Sequence, residues 1–172
     1  MTTSNDNTWL QNAMQRLSSH GFKIAQDISD EGQAFKLVAH RSRFELTKCG
    51  NSETFFVFAE FDTLSRESLR QFSAKSFRYA KASRNVPLPC GLFEFVSCFA
   101  VALVDVLDQA TAESVRNEAP IKHWAASEIP VVYERSQKKL CYFEKTPLWG
   151  AAYYAGFRNQ IQEFLVDYGK SR

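Results

Sequence analysis

Two apolar runs constrain this chain more than any other feature. Residues 54–61 read TFFVFAEF, and Phe95 to Val104 is the most apolar stretch, bracketed by Glu94 and Asp105. Neither is long enough to cross a bilayer as a helix, which takes about 20 residues. Both are rich in Phe, Val or Cys, the signature of strands buried on both faces. A sheet must therefore form around them. Fifteen Phe, six Tyr and three Trp supply bulk for its core.

The chain has 172 residues, which suits a single domain with one sizeable core. No repeat, linker or low-complexity segment divides residues 1–172. Residues 1–6 are polar and are expected to be disordered. A first helix begins at Thr8, which forms a capping box with Gln11, carries Leu10, Ala13, Met14 and Leu17 at helical spacing, and stops at Gly21. A meander over 22–61 follows, with turns at Ser29–Gly32 and Cys49–Ser52. The alternation of apolar residues changes parity between Ala39 and Phe44. That predicts a bulge or tight turn near Arg41 to Arg43, and so four strands in the meander.

Capping patterns place a second helix over Ser65 to Arg84, broken by Pro87 and Pro89. A long strand spans 92–104. A third helix covers Gln109 to Glu118, and a hairpin spans 129–144. Pro130 puts the hairpin's first strand at an edge or at a strand start. Thr146-Pro147 opens a last helix that runs to Tyr168, with Phe157, Ile161, Phe164 and Leu165 on one stripe. The order α-β-β-β-β-α-β-α-β-β-α predicts an α+β fold: one mixed, mostly antiparallel sheet with about four helices.

Composition excludes several function classes. A net charge of +2, from 21 basic and 19 acidic residues, does not mark the whole chain as nucleic-acid-binding, so electrostatics must act through local patches. Cys49, Cys90, Cys98 and Cys141 lack zinc or redox spacing, and three of them, in or beside apolar strand-like runs, read as small hydrophobes. His20, His40 and His123 form no HxH or HExxH pattern, and no Gly-rich phosphate loop occurs. No metal site is predicted. With no basic-then-apolar N-terminal segment and no glycosylation sequon, the expectation is a cytoplasmic protein without a membrane partner.

Three surfaces carry candidate sites. The second helix bears Arg66, Arg70, Lys75, Arg78, Lys81 and Arg84 against one acid, Glu67, all six bases within half of its circumference. Such a face suits a phosphate backbone or an acidic protein, although any amphipathic helix must also show a polar side to water. The leading expectation is a non-enzymatic binding module for a partner protein or nucleic acid through residues 65–84.

The second surface is acidic: Glu45, Glu60 and Asp62, with Lys48 nearby. Over residues 8–104 the order of elements resembles the outline of a PD-(D/E)xK nuclease core. The resemblance implies Mg²⁺ held by carboxylates at strand ends, and metal-dependent nuclease or phosphodiesterase chemistry. That family places its Glu and Lys two apart on one strand. Here Glu45 and Lys48 are three apart, and Asp62 stands two places after Glu60. Asp62, Thr63 and Ser65 equally suit a helix cap.

The third surface is KTPLWGAAYYAGF, from Lys145 to Phe157. Trp149 and Tyr153 offer flat amphipathic surface beside small residues. This segment suits a docking face, the wall of an aromatic small-molecule pocket, or close packing of the last helix on the sheet.

Overall fold

A computed structural model describes residues 3–46, 50–85, 94–146 and 151–167. The order of elements begins α1 (Thr3–Ser19), β1 (Lys23–Asp30), β2 (Gln33–Glu45), β3 (Gly50–Phe61), α2 (Arg66–Ala82) and β4 (Glu94–Val104). It ends with α3 (Gln109–Asn117), β5 (Ile121–His123), β6 (Ala126–Glu134), β7 (Lys139–Cys141) and α4 (Ala151–Leu165). The fold is α+β, with four helices and one mixed, mostly antiparallel sheet. The strand order is β1-β2-β3-β4-β6-β5, and β7 pairs with the other half of β6. Only β3–β4 and β4–β6 are parallel, joined by crossovers through α2 and α3.

The two apolar runs become neighbouring central strands, as their composition requires. Phe56 of β3 and Phe99 of β4 are opposite each other and stack at 4.4 Å between ring centroids. Alternate residues face opposite ways along a strand, and each face is covered. Helices α1 and α4 pack on one side over Phe56, Phe58, Phe99 and Val101. Helices α2 and α3 pack on the other over Phe55, Val57, Cys98 and Ala100. Each fully buried large side chain contributes about 1.5–3 kcal/mol.

Four expectations need correction. Helix α1 starts at Thr3, so Thr8 lies inside it and residues 3–6 are helical. Strand β2 is continuous through Arg41 to Arg43, and its register against β3 runs unbroken from Leu37↔Phe58 to Glu45↔Gly50. The parity change has another cause: Phe44 and Leu46 are simply not core residues, being 62% and 83% exposed. The meander therefore has three strands. The seventh strand is β5, whose sequence IKH carries no alternating pattern and which forms by pairing with β6.

Pro130 is not on an edge strand, yet it avoids a ladder conflict. Strand β5 pairs residues 126–128 of β6 and β7 pairs residues 132–134, so Pro130 falls in the gap between them. Helix α4 ends at Leu165. The expected cap at Pro147 and the end at Tyr168 lie outside the described residues, as do Lys48, Cys49, Cys90, Pro87, Pro89, the strand start at 92–93 and Trp149.

Candidate functional site

One row of residues crosses the sheet under α4. Arg41 on β2 is opposite Thr54 on β3, Thr54 is opposite Ser97 on β4, and Ser97 is opposite Ser127 on β6. Ser127 is in turn opposite Lys122 on β5. Five strands thus contribute one polar side chain each at one level, a cation at each end and three hydroxyls between. With strands about 4.8 Å apart, the row spans about 19 Å. The next row inward is Ala39, Phe56, Phe99 and Ile129, which is wholly apolar. The face changes from core to polar floor within two residues along every strand.

This floor lines a cleft of about 700 Å³. Its roof is α4, through Ala152, Tyr153, Gly156, Phe157 and Gln160. Helix α4 packs through Tyr154, Phe157, Ile161, Phe164 and Leu165. Of its small residues, Ala152 and Gly156 line the cleft, and Gly150 lies outside the described residues. A side-chain Cβ at Gly156 would meet nothing within 4 Å. Ala152 and Gly156 are where the helix stands away from the sheet.

The charge in the cleft is unbalanced. Arg41, Arg43 and Lys122 line it against one carboxylate, Glu45, with His123 beside them. Arg41 lies 4.3 Å from the Phe22 ring centroid and donates through Nη1 to the His20 carbonyl at 3.0 Å. Burial, and then Arg43 beside it, hold its pKa below the ordinary value of an arginine. Lys122 Nζ sits 4.6 and 4.5 Å from the rings of Tyr153 and Tyr154. Tyr153 is hydrogen-bonded to Ser127. Burial, and then Tyr154, push its pKa up to about 12, so it keeps its proton and remains a neutral group in the roof. The Gln160 amide oxygen is buried without a hydrogen-bond partner among the described residues. Two anchored cations, a row of hydroxyls and a spare amide can hold an anion and hydrogen-bond a polar ligand.

The basic helix is more compensated than its sequence suggests. Arg66 pairs with Glu118 at 2.8 Å and Arg78 with Glu31 at 3.2 Å. Arg84 is half-buried and pairs with the buried Glu94, which removes it from the exposed face. Arg70, Lys75 and Lys81 make no ion pair among the described residues. Arg70 nonetheless lies close enough to help lower the Glu118 pKa, after Ser114 and Arg66.

Glu45 does not converge with the other acidic candidates, Glu60 and Asp62. Glu45 is opposite Gly50, whereas Glu60 stands at the far end of β3, roughly 30 Å along the strand. Glu60 pairs with Arg135 at 2.6 Å, and Asp62 is exposed in the turn before α2. Among the described residues, no three His, Cys, Asp or Glu side chains gather as a metal site. A two-carboxylate metal centre needs them in one cleft, so the nuclease chemistry implied by the order of elements has no support in this arrangement.

Of the candidate residues among those described, only Glu45 and Tyr153 line the cleft. Sequence reasoning missed Arg41, Thr54, Ser97, Lys122 and Ser127. A signal existed for two of them: Thr54 and Ser97 are hydroxyls set into otherwise apolar strands. Nothing in the sequence aligns them. No protein-family model, curated protein or solved structure matches this chain.

Proposed function

We propose that this chain is a binding domain for a small anionic ligand held between α4 and the sheet. The observation that carries the reading is the in-register row Arg41, Thr54, Ser97, Ser127 and Lys122 on the floor of the cleft. Polar side chains on central strands normally cost stability unless something uses them. Phe95, Tyr153 and Phe157 add apolar wall for a ring or short chain. The aromatic-pocket expectation is thereby sharpened to a pocket with an anion-binding floor.

Thermal denaturation against pyrophosphate, citrate and adenosine monophosphate tests the reading. A ligand at a hundred times its Kd stabilises by about 2.7 kcal/mol, a rise of roughly 5–10 °C in Tm for a chain of this size. Arg41→Ala with Lys122→Ala should abolish the rise. A flat response to all three anions would sink the proposal.

A second reading retains the basic helix as a surface for a partner protein or nucleic acid. Its support is the exposure of Arg70 and Lys81, with Lys75 partly exposed beside them. A gel shift at low ionic strength tests it, and the triple alanine variant at these positions should lose any shift.

A further inference from the structure

We propose that the cleft continues over the β5 edge onto α2, and that the whole path takes single-stranded nucleic acid. The proposal rests on the reading of the cleft as an anion site. His123 lines both the cleft and a groove of about 500 Å³ on α2, which Lys75, Arg78 and Lys81 border. The His123 ring is held in place: it stacks on Phe77 at 4.4 Å and donates to Glu128 at 2.5 Å. Trp124 follows it and is 81% exposed. Ala125, the next residue, turns with φ 53° and lines the cleft again. A large flat ring therefore stands in water in the turn that directly follows His123, the residue the two grooves share.

Cations on both sides of an exposed aromatic ring suit an unpaired strand. Lys and Arg track its phosphates, and the ring stacks on a base. A duplex hides the faces of its bases, and an acidic peptide has none, so Trp124 favours the single strand over both. The 19 Å row adds length in the same direction, from β2 to β5. A chain of phosphates can use both end cations, whereas a single phosphate reaches one.

Fluorescence anisotropy with labelled oligothymidylate of about twelve nucleotides tests this, with thymidine monophosphate as the small competitor. The oligonucleotide should bind at least roughly tenfold tighter than the monophosphate. Its log–log salt slope should be roughly −3, as four to five contacts at about 0.7 each require. Trp124→Ala should weaken the oligonucleotide by roughly tenfold. Lys75→Ala with Lys81→Ala should weaken it while leaving the monophosphate unchanged. All three side chains are at least partly exposed, so circular dichroism should show these variants folded.

Three results would overturn the inference and leave the anion cleft standing. The monophosphate binds and the oligonucleotide binds no tighter. A duplex of the same length binds as well as the single strand. Polyglutamate displaces the probe as well as unlabelled DNA does. If neither monophosphate nor oligonucleotide binds to folded protein, the inference fails; if the other anions also give no response, so does the cleft reading.

Discussion

The same end of the sheet is built differently on its two faces. On the α4 face the row Arg41, Thr54, Ser97, Ser127 and Lys122 lines a cleft. On the α2 face, the chain neighbours of four of these residues are His40, Glu53, Glu128 and His123. There the polar groups are closed into pairs: His40 with Glu53, His123 with Glu128, and Arg84 with Glu94. Glu53 and Glu94 are almost completely buried. The α2 face spends its charges on one another. On the α4 face neither Arg41 nor Lys122 is in an ion pair among the described residues, and the Thr54 and Ser97 side chains line the cleft. A polar residue in a central strand is therefore no marker of a site by itself; the marker is a cation with no ion-pair partner beside a cleft.

The largest expected effect tests the closed face. Arg84→Ala leaves the Glu94 carboxylate buried without its cation, a loss of about 3–5 kcal/mol. Chemical denaturation should show it, with Tm lower by roughly 6–20 °C. A loss below about 1 kcal/mol would mean that the pair is solvated and that the two faces do not differ.

The open face should respond in the opposite manner. Thr54→Val with Ser97→Ala removes two hydroxyls that the core does not need, so stability should change by less than about 1 kcal/mol. Ligand-induced stabilisation should disappear. A large destabilisation with ligand binding intact would reverse the roles of the two faces.

Gly156→Ala should raise stability by about 0.5–1 kcal/mol, because a helical glycine is replaced and its Cβ meets nothing. Gly156→Phe should instead fill the cleft and block ligand, with the fold retained. Urea titration of the first and a binding assay of the second check the space assigned to α4.

The smallest effect is a pH slope from Tyr153. Its folded pKa of about 12 lies above the ordinary value of 10, so the folded state holds this proton more tightly. The associated stability is complete below pH 10 and is lost as pH rises through about 12. Tyr153→Phe should show a shallower decline over this window in paired denaturation curves. An unchanged slope would mean that the ring is not shielded by Tyr154 and the cleft wall.

Much of the fold was legible because burial leaves a pattern in the chain. TFFVFAEF and EFVSCFAVALV announced two central strands, and Ser65 marked the start of α2. Strand β5 was illegible, since IKH has no apolar alternation and owes its extended form to the β6 edge. Phe44 misled in the opposite sense, as an aromatic residue on a strand that outruns the core. The basic helix was seen, but not the partners of Arg66, Arg78 and Arg84, which lie 52, 47 and 10 residues away as Glu118, Glu31 and Glu94.

By itself the sequence determined that this chain builds one α+β domain around two Phe- and Val-rich strands, because apolar area must leave water and these runs are too short to do so in any other way. It also determined which helices are amphipathic. Only the tertiary structure decided what those surfaces offer. Arg41, Thr54, Ser97, Ser127 and Lys122 are spread over 86 residues and become one row solely through the register of four strand pairings. Register depends on the whole sheet, and a slip of one residue would turn that row to the other face.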